Sequence, residues 1–338
     1  MKHLNQLKMI QKTTLLLVIL ALFSTTVFGQ DEKETDSFKP SGKPMAKIFT
    51  NFHTDFTDGT TFSQFQLTRA YLGYQYNFSK HFSAKANLDF GNPGTGKLEM
   101  IAFIKNAYVS YNNKGLTVQF GLIGTTMFKL QEKIWGNRYM YKSFQDEYGF
   151  GSSADLGVSV EYEFNKFIAA DVSVLNGEGY KKLENDSVFK YTAGITITPV
   201  KNLYFRAYYD YMDKDFAEQS MSFFAGYDNK TWSAGAEYNQ QANHHMKDGE
   251  DFSGYSFYAS YNVKKYRFYG RYDFIESETL PAETEPWNIS KDGQVIIVGI
   301  QYTPIKGIKI SPNYQLSIPS KSGTPSTSGA YLNLEIKY

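Results

Sequence analysis

Three groupings of residues have the types and spacing to do chemistry. His53 and Asp55 are two apart, so in a strand they share one face. His244 and His245 are adjacent, with Asp248 and Asp251 just behind them. A histidine and a carboxylate beside a nucleophile or activated water would make an enzyme, and paired imidazoles with acids would offer metal ligands. Neither grouping carries a nucleophile motif, and both fit a solvated wall or loop, so no enzyme activity, metal or cofactor is expected. The third grouping is basic: Lys129, Lys133, Arg138 and Lys142, with Glu132, Asp146 and Glu147, lie in one stretch from Gly124 to Gly151. That stretch also holds Met127, Phe128, Leu130, Ile134, Trp135, Tyr139 and Phe144. Lysines on such a segment have a role only if its apolar side is covered, which raises the question of what surrounds it.

Composition narrows the answer. The 338 residues include 27 Tyr, 27 Phe and no Cys, with a net charge of +1. A chain so aromatic is not disordered. Without cysteine there is no disulfide framework, thiolate site or lipid-modified terminal cysteine. A near-neutral chain lacks the basic field that nucleic acid requires. Lys2, Lys8 and Lys12 precede the apolar run Thr13 to Phe23, and small residues lead to Gly29. This is a secretory signal over residues 1–29, followed by a short polar periplasmic leader over residues 30–43. No other segment approaches the roughly 20 consecutive apolar residues of a membrane helix.

From residue 44 to 338 one rhythm repeats. Ala330, Leu332, Leu334, Ile336 and Tyr338 alternate with Tyr331, Asn333, Glu335 and Lys337. Leu203 to Tyr211 does the same, with Arg206 on the polar face, and so does Phe82 to Phe90. Short turns, such as Asn112–Gly115 and Val263–Lys265, alternate with longer connections, such as Thr57–Thr61, Gly91–Leu98 and Gly124–Gly151. Segments of roughly ten alternating residues with short turns on one side and long loops on the other mark a transmembrane antiparallel β-barrel, here of about 16 strands. Aromatics at strand ends fit interfacial girdles. A soluble β-sandwich would need its inner face apolar and dry, and here one face is polar.

Sixteen strands enclose an aqueous lumen. The expected function is passive diffusion of small hydrophilic solutes through an outer-membrane barrel; an outer-membrane barrel enzyme or an adhesion barrel is the alternative. The Gly124–Gly151 loop is long enough to be functional. With Met127, Leu130 and Ile134 at helical spacing, it is expected to fold into the lumen, cover its apolar side on the wall and set a constriction. Pore-lining residues are then Lys129, Lys133, Arg138, Lys142 and Glu132 of the loop with Arg69, Arg206 and Arg271 of the wall. Inward positions carry almost balanced charge, Lys85, Lys190 and Arg267 being offset by Asp89, Asp171 and Asp273 among others. Tyr338 closes the last strand as a terminal aromatic, a feature of outer-membrane barrels that the assembly machinery of Gram-negative cells reads.

Several runs between Arg69 and Gly157 resemble the phosphate-selective porin O and P family in its Bacteroidetes-type branch. They are Arg69-Ala70-Tyr71-Leu72-Gly73-Tyr74, Asn106-Ala107-Tyr108-Val109-Ser110-Tyr111, Trp135-Gly136-Asn137-Arg138 and Ser153-Ala154-Asp155-Leu156-Gly157, with Gly121 followed by Phe128 and Glu132. The resemblance implies anions such as phosphate as solutes, with a constriction on the third long loop. The strand-two region departs from it, with Leu67 and Thr68 where the family often has arginines. The partners expected are outer-membrane lipid, the solutes, the barrel assembly machinery and other copies in a homotrimer.

Overall fold

The structure, a computed structural model, describes residues 38–91 and 100–338. The signal, most of the leader and most of the Gly91–Leu98 connection lie outside the described residues. One compact unit, Pro40–Tyr338, holds every strand.

Sixteen antiparallel strands form a closed barrel in chain order, with the first strand paired to the last. They are β1 (Ser41–Thr57), β2 (Thr60–Asn77), β3 (Phe82–Gly91), β4 (Ile101–Asn113), β5 (Leu116–Gly124), β6 (Ala154–Glu163), β7 (Ile168–Leu175) and β8 (Lys190–Ile197). The second half comprises β9 (Leu203–Met212), β10 (Glu218–Asp228), β11 (Trp232–Ala242), β12 (Phe252–Val263), β13 (Tyr266–Ser277), β14 (Gly293–Tyr302), β15 (Ile308–Pro319) and β16 (Thr327–Lys337). Closure leaves no sheet edge between first and last strands, because Lys47 to Thr57 pairs with Lys337 to Thr327. Tyr338 adds one more bond, its N–H donating to the Ala46 carbonyl at 3.0 Å.

Two boundaries differ from the sequence expectation. β1 begins at Ser41, inside the expected leader, because β2 extends to Asn77 and takes Ser41, Gly42 and Lys43 as partners. Pro44 is tolerated there because β16 pairing starts only at Lys47. The Thr57–Thr61 connection is not long: Asp58 and Gly59 make the turn at φ 48° and 73°. Two positive φ values are what a tight hairpin of right-twisted strands needs, and Asp-Gly supplies them at little strain.

Alternation holds along the wall with two interruptions. Arg69 pairs with Phe49 while Leu67 pairs with Thr50, so Thr68 is an extra residue, a bulge; its hydroxyl donates to the Phe49 carbonyl at 3.1 Å. Asn106 pairs with Asn87 and Ile104 with Leu88, so Lys105 is a second bulge. A bulge reverses the parity of the strand beyond it. The first brings Arg69 to the same face as Gln66 and Gln64; the second puts both Lys105 and Asn106 on the buried side.

Outward positions are apolar and open, as Phe205 at 45% and Leu332 at 49% exposure show; inward Asn333 is 2% exposed. Spin labels at Phe205 and Leu332 in bilayers should therefore be relaxed by oxygen and shielded from an aqueous nickel complex, with labels at Asn333 and Gln315 behaving the opposite way. The reverse accessibility would refute this register.

Candidate functional site

The connection between β5 and β6 is built from two short helices, α1 (Lys129–Trp135) and α2 (Phe144–Tyr148). Gly136 ends α1 at φ 69° and its N–H donates to the Glu132 carbonyl at 2.9 Å, a left-handed cap that glycine adopts without penalty. The apolar side of the segment is covered by the inner wall. Met127, Phe128, Phe144, Tyr148 and Phe150 pack with Tyr208 of β9, Phe252 of β12 and Ile275 of β13. Ile134 and Trp135 pack with Phe224, Tyr258, Tyr269 and Ile297 of β10, β12, β13 and β14. Each large side chain so buried contributes about 1.5–3 kcal/mol. This replaces the dry core that the barrel otherwise lacks.

Three wall arginines hold the backbone of this connection. Arg206 donates from Nη2 to the Thr126 carbonyl at 3.0 Å. Arg267 donates to the Trp135 carbonyl at 3.0 Å, just where α1 ends. Arg271 donates from Nη1 to the Lys142 carbonyl at 2.6 Å, and its guanidinium lies 5.1 Å from the ring centres of Trp135 and Tyr141. Two of them are neutralised in place by paired hydrogen bonds: Arg206 to Asp171 at 2.6 and 3.0 Å, and Arg271 to Asp273 at 2.8 and 2.7 Å. Further bonds fasten the segment: Tyr258 Oη donates to the Gln131 carbonyl at 3.1 Å and Gln241 to the Phe150 carbonyl at 2.9 Å.

The expected pore-lining residues thus divide. Arg206 and Arg271 do not present free charge to the lumen; they are 7% and 3% exposed beneath the connection. Their role is corrected to clamps, because a buried guanidinium must keep a carboxylate and satisfy its remaining donors on carbonyls. Arg69 is paired with Asp89 at 2.8 Å, and Tyr180 Oη donates to the same carboxylate at 3.3 Å. Lys129 meets Glu161 of β6 at 2.8 Å with its side chain still open, and Lys142 meets Glu147 at 3.4 Å. Arg138 bridges Glu132 at 3.1 Å and Asp146. Burial alone would raise the Asp146 carboxyl, but Arg138 beside it more than reverses that and holds it below its ordinary value. The pair therefore stabilises the segment above the ordinary carboxylate range and is lost only as pH falls through the lowered value. Lys133 is exposed, as is Lys129.

Sequence reasoning missed Lys105. The residue is 9% exposed, and its ammonium donates to the Ser153 hydroxyl and lies 4.2 Å above the Tyr180 ring. The signal was present: outward Ile104 and Ala107 are three apart, a break in parity that only a bulge repairs.

The histidine groupings have structural neighbours. His53 Nδ1 is 2.7 Å from Asn51 Oδ1 and Nε2 is 3.7 Å from Asp55, while the ring stacks on Tyr331 at 4.8 Å. His244 and His245 stack on each other at 3.9 Å, and His244 also stacks on Trp287 at 5.4 Å. Asp251 closes that loop by accepting the Asn243 N–H at 2.8 Å. No imidazole of these groupings is hydrogen-bonded to a hydroxyl among the described residues.

No family model matches the chain, and no curated protein matches it by sequence. Solved structures do match. The outer membrane channel DcaP of Acinetobacter baumannii is 13% identical with a TM-score of 0.64, over 90% of this chain and 99% of that one. OmpF of Salmonella typhi, solved with daunomycin, is 10% identical with a TM-score of 0.65, over 87% and 97%. A mutant of the Rh. blastica porin is 12% identical with a TM-score of 0.58, over 88% of this chain and 100% of that one. The fold is that of the outer-membrane porins.

Proposed function

We propose that this protein is an outer-membrane porin through which small hydrophilic solutes diffuse passively. The observation that carries the reading is the β5–β6 connection, packed on the inner wall of a closed sixteen-strand barrel by an apolar side and three arginine clamps. Such a segment narrows an aqueous lumen without filling it with a mobile plug, and its outer side offers Lys129, Lys133, Lys142 and Glu132 to the solute. The finer reading, a preference for anions such as phosphate, is supported by Lys105, Arg69 and Arg138 and weakened by Asp89, Asp146 and Glu132 beside them. Opposed charges of similar number make a weakly selective passage, since strong selectivity needs a field of one sign.

The outward apolar belt fits outer-membrane lipid, and Tyr338, just past β16, offers the assembly machinery an aromatic that is 79% exposed. Insertion follows export and removal of residues 1–29, and a homotrimer is the assembly proposed.

Planar-bilayer recordings in a potassium chloride gradient test the reading. The folded protein should give discrete conductance steps with a small reversal potential. Lys133→Glu should move that potential towards cations, and the shift should shrink near 1 M salt, where screening acts within about 3 Å. Folded protein that inserts but gives no steps would overturn the porin reading.

A further inference from the structure

At the long-loop end of the barrel, a cavity of about 460 Å³ lies between the inner wall and the end of the β5–β6 connection. Its size falls in the range of roughly 300–1,000 Å³ typical of small-molecule sites. Five carboxylates line it: Asp155 of β6, Asp210 of β9, Glu218 of β10, and Glu178 and Asp186 of the β7–β8 connection. Two lysines oppose them in the lining, Lys182 and Lys190, and a third, Lys214, pairs with Asp186 at 3.2 Å, so the carboxylates remain in excess. Lys190 is already engaged, its Nζ 2.7 Å from Glu218 Oε1. Burial, with the second imidazole of His245 beside it, pushes His244 down to about 4, so this lining residue is neutral at pH 7.

Two observations show carboxylate oxygens left without a hydrogen-bond donor. Asp210 is 1% exposed, and its Oδ1 accepts no hydrogen bond; Lys190 Nζ forms an ion pair with it at 3.8 Å, beyond hydrogen-bond reach. In the β7–β8 connection, Glu178, Glu184 and Asp186 bring carboxylate oxygens within 4.8 Å of one another, and one buried oxygen each of Glu178 and Glu184 has no hydrogen-bond partner. Burial and these neighbouring acids raise the Glu178 carboxyl. Met127, Phe150, Tyr208 and Met212 give the lining an apolar and aromatic part, beside polar Thr125, Ser152, Asn185 and Gln241. A bare metal ion would use a tight shell of oxygens and leave that surface idle. An amine with an apolar body would use both.

We propose that this cavity is a binding subsite for small organic cations, taking an ammonium head among the carboxylates of Glu178, Asp186 and Asp210 and an apolar body against Met127, Phe150 and Tyr208. The inference rests on the porin reading and names one solute class that the channel engages at its outer mouth. Lys105, Arg69 and Arg138 are not among its lining residues.

Phenethylammonium chloride, added to single channels in a bilayer, tests it, with 2-phenylethanol as the neutral control of similar shape. The amine should produce resolved current interruptions, and the alcohol none. The double variant Glu178→Gln, Asp186→Asn should weaken the block about tenfold or more, the equivalent of losing one charge contact of about 1.4 kcal/mol. Lys182→Glu, at an exposed position, should strengthen it. The opposed directions separate loss of a site from general damage. Equal block by the alcohol, or block unchanged in both variants, would overturn the subsite. A channel that conducts but ignores the amine removes this inference and leaves the porin standing; a folded protein without conductance removes both.

Discussion

Excision of residues 128–144 is expected to raise single-channel conductance several-fold. The segment covers wall residues on β9 to β14 and also reaches the opposite side of the lumen. Tyr139 lies 6.3 Å from the Phe49 ring of β1, donates to Gln301 of β14 at 3.1 Å, and sits 5.3 Å below Lys309 Nζ of β15. Removing it takes away both the obstruction and the charges closest to it, so conductance rises and any selectivity falls together. The deletion also uncovers Phe224, Tyr258, Ile297 and Phe252 to lumen water, at about 25 cal/mol for each Å² of apolar surface. The heat-modified band on gels should therefore appear at lower temperature while the barrel still closes. A deletion that folds and leaves conductance unchanged would show that the segment is not the constriction.

Replacing Arg271 by leucine is expected to be the most damaging single change in the wall. Asp273 is 0% exposed and would keep only Ser256 Oγ, at 2.6 Å, as a partner for its charge. Leaving one member of a buried pair costs about 3–5 kcal/mol. The Lys142 carbonyl would lose its donor, and Trp135 and Tyr141 the cation between them, worth about 0.5–2 kcal/mol. The β5–β6 connection should loosen, so trypsin should cut after Arg138 or Lys142 faster than in the parent, and open-channel noise should rise. Removing both charges, with Arg271→Leu and Asp273→Leu together, should recover much of the thermal stability but not the protease resistance, since no donor then reaches the Lys142 carbonyl. If the single variant resists trypsin as the parent does, Arg271 is not a clamp.

Much of this architecture was readable along the chain because its causes are local. A strand alternates faces with a period of two, so Leu332, Leu334 and Ile336 declare their side without knowledge of any partner. Turn chemistry is local too, although Asp58-Gly59 was read as part of a longer connection when its two residues suffice. The i, i+2 pair Arg271 and Asp273 shares a face in any register, and so was legible as a pair. The helical spacing of Met127, Leu130 and Ile134 was equally visible, and α1 occupies Lys129–Trp135.

What the chain order cannot carry is who stands opposite. Arg206 finds Asp171 across two strands and then the Thr126 carbonyl, 80 residues away, and only those neighbours turn an inward cation into a buried clamp. Arg69 and Lys105 owe their orientation to bulges, which appear as register shifts between paired strands. The cavity among Asp155, Asp210, Glu218 and the β7–β8 connection gathers residues from separate parts of the barrel. By itself the sequence determined a membrane barrel with a polar lumen and one apolar, basic loop, because alternation and turn spacing act over a few residues. Tertiary structure decided which of those charges are cancelled, which hold the loop and which remain for a solute, because electrostatic pairing depends on distance in space and on burial.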